Sequence, residues 1–338
     1  MTQRGWSEGA MSTEYAGLLF IGDLHLASRA PGFRKDDYPR AILKKLAWAI
    51  RYARAQRLVP VILGDMFDFP RDNANWLLVE LLGLFDPPIL AIVGNHDCKE
   101  NTLGENDTLS VLVASGHVRL LEEQRPWRAV IGGTEVVLCG FGWGTKLPKA
   151  HDRSNLPAGE PACVIWVSHH DLRFPGYEQA GRFSCRELEG VDLVVNGHIH
   201  RSLADVVCGR TTWVNPGNIA RVKRSDASRS HVPSVLRVDV EAGTWRKQRI
   251  ELPHEPFEAV FHPELESEQV EIDESVFIRE LRSLESIRTA GGAGLKKFLD
   301  ANLNQFDARV AAQIRALAEE VKSATGSWSV RRRPPRPT

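Results

Sequence analysis

The chain has no long apolar run. None of its 338 residues falls in a stretch approaching 18 consecutive apolar side chains, so no transmembrane helix is expected. Nor does charge of one sign dominate. The 43 basic residues face 43 acidic ones, and a formal net charge of zero gives no whole-molecule reason to bind nucleic acid or a membrane surface. Cysteine is sparse. Cys98, Cys139, Cys163, Cys185 and Cys208 are odd in number and form no C-x-x-C pair, which argues for reduced thiols in a cytoplasmic protein and against a disulfide framework. The opening stretch MTQRGWSEGAMSTEY lacks the apolar core of a signal peptide and reads as a disordered leader over residues 1–15, with Met11 as an alternative start. There is no internal repeat.

What is there is ordinary globular composition, 43% hydrophobic and 25% charged. The length suits one large α/β domain with an appendage. Apolar strand candidates alternate with helical patterns: Leu18–Ile21, a helix over Tyr38–Gln56, LVPVILGD (58–65), a helix over 73–85, PPILAIVGNHD (87–97) and a short helix over Thr108–Ser115. Further strand candidates follow at 134–140, 162–170, 190–200 and 211–218, then 234–240 and 244–252, which alternate like antiparallel strands. This order predicts a mixed α/β (α+β) sheet structure with helices outside it. The continuous Val/Ile/Leu runs predict strands buried on both faces. The composition shifts near Pro253–Pro263. Residues 272–322 look helical, and RRRPPRPT at the end is basic and proline-rich.

Five strand candidates end in the same kind of chemistry. They finish in Gly22-Asp23-Leu24-His25, Gly64-Asp65-Met66-Phe67-Asp68, Gly94-Asn95-His96-Asp97, Ser168-His169-His170 and Gly197-His198-Ile199-His200. Residues two apart on extended backbone share a face, so Asp23 with His25, and His198 with His200, suit ligands of one metal ion or a carboxylate orienting a histidine. Ligands of open α/β sheets sit at the carboxyl ends of strands, and glycine lets the backbone turn tightly there. Five such ends are hard to account for as a solvated rim.

The blocks D-x-H, G-D, G-N-H-D, H and G-H-x-H, in this order over about residues 18–220, resemble the calcineurin-like metallophosphoesterase superfamily. The resemblance implies a four-layer β-sandwich flanked by helices, here over residues 16–255, to which the composition adds a helical appendage over 256–325 and a disordered tail over 326–338. It also implies two divalent ions, about 3.5–4 Å apart, that clamp a phosphate and activate a bridging water or hydroxide as nucleophile. By the same resemblance Asp65 bridges the ions, Asp23, His25 and His200 complete one set, and Asn95, His169 and His198 complete the other. Imidazole and carboxylate without thiolate fit Mn²⁺ foremost, with Fe or Zn²⁺ as alternatives. His96 is the expected general acid and Asp97 the residue that orients it, or else a local turn cap. His170 competes with His169 as a ligand, and Asp68 stands beside the set.

The wording of the first and last blocks is similar to the Mre11/SbcD-like nuclease branch, through GDLHL and the turn Pro216-Gly217-Asn218 followed by Arg221. Six basic residues against two acidic ones over 201–230 suit a phosphate backbone. Arg201, Arg221 and Trp143 are therefore candidate substrate contacts, and DNA the candidate substrate, in a DNA repair role. That branch also implies a cap domain, for which too little chain follows Leu252, and an ATPase partner, for which residues 272–322 are the candidate surface. The alternatives are a phosphomonoesterase or small-molecule phosphodiesterase on the same site, and a binding module that kept only the fold.

Overall fold

The structure is a computed structural model that describes residues 15–31, 33–156 and 162–262. The expected leader and tail, and the appendage beyond residue 262, lie outside the described residues. In chain order the elements are β1 (Gly17–Ile21), α1 (Tyr38–Ala55), β2 (Leu58–Ile62), α2 (Asn75–Leu84), β3 (Ile89–Ala91), α3 (Thr108–Ala114), β4 (Val118–Leu120), β5 (Trp127–Ile131), β6 (Thr134–Phe141) and β7 (Ala162–Ser168). There follow β8 (Leu172–Arg173), β9 (Phe183–Ser184), β10 (Leu193–Asn196), β11 (Val206–Cys208), β12 (Thr211–Val214), α4 (Asp226–Ser230), β13 (Ser234–Glu241), β14 (Thr244–Glu251) and α5 (Phe257–Val260).

Two six-stranded sheets face each other. The first runs β14-β13-β1-β2-β3-β4 and the second β11-β12-β10-β7-β6-β5, while β8 and β9 form a small ladder of their own. β1 to β4 are mutually parallel, as are β6, β7, β10 and β12; antiparallel pairing brings in β13 beside β1 and the edge strands β14, β11 and β5.

Side-chain alternation sorts each strand between two cores. Leu18 and Phe20 of β1 point between the sheets and join Val61, Leu63, Ile92, Val136, Leu138, Ile165, Val167 and Val195. Leu19 and Ile21 point the other way, against Ile42, Leu46, Ala49, Ile50 and Ala53 of α1 and Leu77 and Leu81 of α2. The 18-residue α1 starts where the Asp37 carboxylate accepts the Arg40 N–H, with Pro39 in its first turn. On the second sheet, Val137, Phe141, Trp166 and Trp213 face outward and are covered by Leu147, Leu156, Leu172, Phe174 and Leu188. The expected mixed α/β sandwich is thus what the chain forms, with α1, α2 and α3 against the first sheet. β4, β5 and β11 escape the sequence pattern because they are short edge strands, and in β5 only Trp127 and Ile131 are buried. Among the described residues no helix is long and apolar enough to cross a membrane.

Candidate metal centre

β1, β2 and β3 of the first sheet, and β7 and β10 of the second, deliver their carboxyl ends to one place. The glycines there permit contacts that any side chain would block. A Cβ on Gly94 would lie 2.1 Å from Asp65 Oδ1, and one on Gly197 would lie 2.3 Å from the Leu63 carbonyl and 2.9 Å from Asp23 Oδ1. Three polar residues at these turns, His25 (φ 46°), Asp65 (φ 47°) and His198 (φ 69°), adopt left-handed backbone. Such conformations cost free energy in non-glycine residues and cluster where function imposes them.

The structure gathers Asp23, His25, Asp65 and His200 into one group and Asp65, His169 and His198 into another, with the potential ligand atoms of each within 4.8 Å of one another. Asn95 joins the second, its Oδ1 lying 3.2 Å from His169 Nε2 and 2.8 Å from His198 Nδ1. Asp65 is common to both groups.

The hydrogen bonds around the groups decide which atoms face inward. His169 Nδ1 donates to the Leu63 carbonyl at 2.7 Å, and His25 Nδ1 donates to Asp68 Oδ1 at 3.1 Å. With Nδ1 so committed, the neutral form of each ring keeps its Nε2 lone pair, and each lone pair faces acceptors. His169 Nε2 is 3.3 Å from Asp65 Oδ2, and His25 Nε2 is 3.7 Å from the same oxygen. The carboxylates follow the same rule. Asp65 Oδ1 accepts the His96 N–H at 2.8 Å and Asp23 Oδ1 the His198 N–H at 3.2 Å, which turns both Oδ2 atoms toward the histidines. Asp23 Oδ2 is buried and has no hydrogen-bond partner. Acceptors converging on acceptors in a buried pocket fit a cation between them, and oxygen and imidazole donors fit a divalent one.

Electrostatics agree. Burial alone would raise the Asp65 carboxyl, but the His169 and His25 rings hold it below the usual carboxylate range. Burial likewise works against a charge on His169, yet Asp65 and Asp23 push its imidazole up to about 9. The cluster thus attracts positive charge strongly enough to hold a proton where a metal ion would compete for it.

Of the other sequence candidates, Asp68 touches His25 and its carbonyl accepts from His96 Nδ1 at 2.8 Å. His170 turns away and bonds the Thr145 carbonyl through Nε2 at 2.8 Å. Trp143 lies at the site, its ring 5.0 Å from that of His198. Arg201 is exposed, donates to the Gly176 carbonyl at 3.1 Å and stacks on Tyr177.

Two expectations need correction. Of the two readings of Asp97, the hydrogen bonds match the local turn cap, and it does not orient His96. Its carboxylate accepts the backbone N–H groups of Gly94 and Phe67, at 2.9 and 3.1 Å, and so ties the β3 turn to the β2 turn. Burial, reinforced by Asp65, pushes its carboxyl up to about 7. Arg221 is not a substrate contact. Its side chain is buried and donates to the carbonyls of His231 and Glu255. With Lys45, which bonds the Ile219 carbonyl, it anchors the segment after the Pro216–Asn218 turn. Asn218 N–H in turn reaches the His200 carbonyl at 3.1 Å.

Two residues escaped the sequence reading. Asn196 bonds Ser168 Oγ, the His170 backbone and Asn215, and locks the ends of β7 and β10 together. Asp171 accepts from His198 Nε2 at 2.9 Å. Its only sequence signal was its place directly after the His169-His170 doublet.

Comparison with curated proteins gives no match. Solved structures that resemble the chain include a hypothetical protein from Thermus thermophilus, at 13% identity and TM-score 0.39, covering 70% of this chain and 99% of that one. Another is a conserved uncharacterized protein from Streptococcus pneumoniae described as a predicted phosphoesterase, at 11% identity and TM-score 0.31, covering 70% and 89%. A third is Vacuolar Protein Sorting 29 from Cryptosporidium parvum, at 15% identity and TM-score 0.28, covering 69% and 96%. The model of the calcineurin-like phosphoesterase family matches residues 17–202, more than half of the chain and all five strand ends. The chain therefore belongs to the calcineurin-like phosphoesterases and is a metal-dependent phosphoester hydrolase.

Proposed function

We propose that the chain hydrolyses phosphodiesters at a dinuclear centre, with DNA as the substrate to test first. The observation that carries the dinuclear reading is the inward convergence of lone pairs from Asp23, His25, Asp65, Asn95, His169, His198 and His200, with Asp65 shared. In this reading Asp23, His25 and His200 hold one ion and Asn95, His169 and His198 the other, with Mn²⁺ the first metal to try. When bound, the ions generate a nucleophile from water and neutralise phosphoryl charge.

The remaining work falls to the chain. His96 has its Nδ1 committed to the Asp68 carbonyl, which leaves Nε2 to protonate the departing alkoxide. Trp143, beside His198, offers a base or other flat group a face to stack on. A diester is a monoanion, whereas a monoester at neutral pH carries about 1.5–2 charges. With Arg221 spent on backbone carbonyls and Arg201 held toward Gly176, those two arginines favour the less charged substrate.

The test is Mn²⁺-dependent cleavage of labelled single- and double-stranded DNA, beside bis-p-nitrophenyl and p-nitrophenyl phosphate, with Asp65→Asn as the inactive control. Cleavage of the model diester without cleavage of DNA at any ionic strength assigns a small-molecule phosphodiesterase. Preference for the monoester overturns the diester reading.

A further inference from the structure

The two ligand groups differ in charge. The first holds Asp23 besides the shared Asp65, whereas the second adds only Asn95, His169 and His198, which are neutral as ligands. One more carboxylate stands directly behind the second group. Asp171 Oδ1 lies 2.9 Å from His198 Nε2. An ionised carboxylate only accepts, so the ring donates from Nε2 and presents the Nδ1 lone pair to the site, 2.8 Å from Asn95 Oδ1.

The arrangement is built rather than incidental. The Asp171 carbonyl accepts the N–H groups of Arg182 and Phe183, both at 2.9 Å, and the next residue, Leu172, is fully buried in β8. Arg182 Nε lies 3.4 Å from Asp171 Oδ2 and balances the carboxylate from the solvent side. On the ring of His198, Trp143 packs at 5.0 Å with an interplanar angle of 35°. One strand end, that of β7, therefore supplies His169 to the second group and, two residues on, the acid that orients another member of it.

We propose that Asp171 is a positioning residue for the second metal ion, fixing His198 as an Nδ1 ligand and lending negative charge to a donor set that has little of its own. This rests on the dinuclear reading above. A carboxylate behind a ligating histidine fixes its tautomer and raises its basicity, and its loss costs about 10–100-fold in metal affinity.

Mn²⁺ titration of the metal-free full-length chain by calorimetry tests the proposal, with electron paramagnetic resonance to detect the spin-coupled pair. The wild type takes up two ions. Asp171→Ala keeps the first and binds the second about 10–100-fold more weakly, so the coupled signal disappears at stoichiometric metal. Asp171→Asn keeps an acceptor oxygen but not the charge, and recovers part of the loss. Unchanged second-ion affinity in Asp171→Ala overturns the proposal. Loss of both ions in Asp171→Asn also overturns it, because that marks a general structural role. A wild type that binds fewer than two ions removes the dinuclear reading itself, and this inference with it.

Discussion

The Nε2 atoms of His25 and His200 stand 2.9 Å apart, although the residues are separated by 175 positions in the chain. His25 donates its Nδ1–H to Asp68, so its remaining lone pair is aimed at another ring nitrogen, and Asp23 Oδ2 lies 3.7 Å from His200 Nε2. Two such nitrogens come this close only when they share a proton or a cation. The same logic of donors turned outward and acceptors turned inward holds around His169 and Asp65.

His96 is expected to matter in proportion to how poor the leaving group is. Its ring packs 4.8 Å from that of His25 without joining the convergent donors around Asp65. His96→Ala should lower kcat on a nucleotide diester by roughly 10²–10⁴-fold while both metal ions stay bound. Bis-p-nitrophenyl phosphate, whose leaving group departs without a proton, should lose far less. Equal losses on the two substrates, measured at fixed metal loading, would rule out the general-acid role.

Gly94→Ala should damage the centre without replacing any of the converging donors. The new methyl would lie 2.1 Å from Asp65 Oδ1 and 2.2 Å from Asp65 N, and neither the backbone nor this buried carboxylate can yield freely. Overpacking of this kind costs about 1–3 kcal/mol. The expected result is a lowered Tm together with loss of bound metal. A variant with wild-type metal content and wild-type Tm would show that the turn is looser than described.

Arg221→Ala should act on stability rather than on substrate affinity. The guanidinium is the partner of the His231 and Glu255 carbonyls, and a buried group left unpaired costs roughly 1–3 kcal/mol. Denaturant unfolding should report that loss, and KM for the model diester should stay within about twofold at saturating metal, a change of ~0.4 kcal/mol at 1.4 kcal/mol per tenfold. A large rise in KM with unchanged stability would restore Arg221 as a substrate contact.

His231 carries a pH signature. Burial, with the cations of Arg221, Lys45 and Arg249 nearby, pulls its imidazole down to about 4 despite the bond to the Asn218 carbonyl. The ordinary value is about 6.5. Between those two values the unfolded chain binds more protons than the folded one, so this residue makes stability rise with pH across the window, and its penalty is complete below about 4. Replacement by Gln, which keeps an N–H for the Asn218 carbonyl, should flatten that part of the Tm–pH curve. An unchanged slope would mean that His231 is solvated.

The sandwich and its strand-end donors were legible because their signals are local. An apolar run that stops at glycine and a donor is visible in a handful of residues, as at Gly22-Asp23 or Gly197-His198. What a side chain is spent on is not local. Arg221 read as part of a basic surface because composition cannot tell a solvated guanidinium from one consumed by the His231 and Glu255 carbonyls. Asp97 read as the partner of His96 because they are neighbours in the chain, whereas its hydrogen bonds run to Gly94 and Phe67. Asp171 went unnoticed because its partner, His198, lies 27 residues downstream and is reached only once β7 and β10 pair.

The sandwich behaves as a book whose fore-edge is clasped. Asp23, Asp65 and Asn95 project from one page and His169, His198 and His200 from the other, and each donor group draws on both pages, so the spacing of its donors is set by how far the pages splay. Leu63 and Val167, buried between the pages two residues before Asp65 and His169, are then gauges of that spacing: a methylene removed there would reach the chemistry as a shift of the donors, with no polar residue altered.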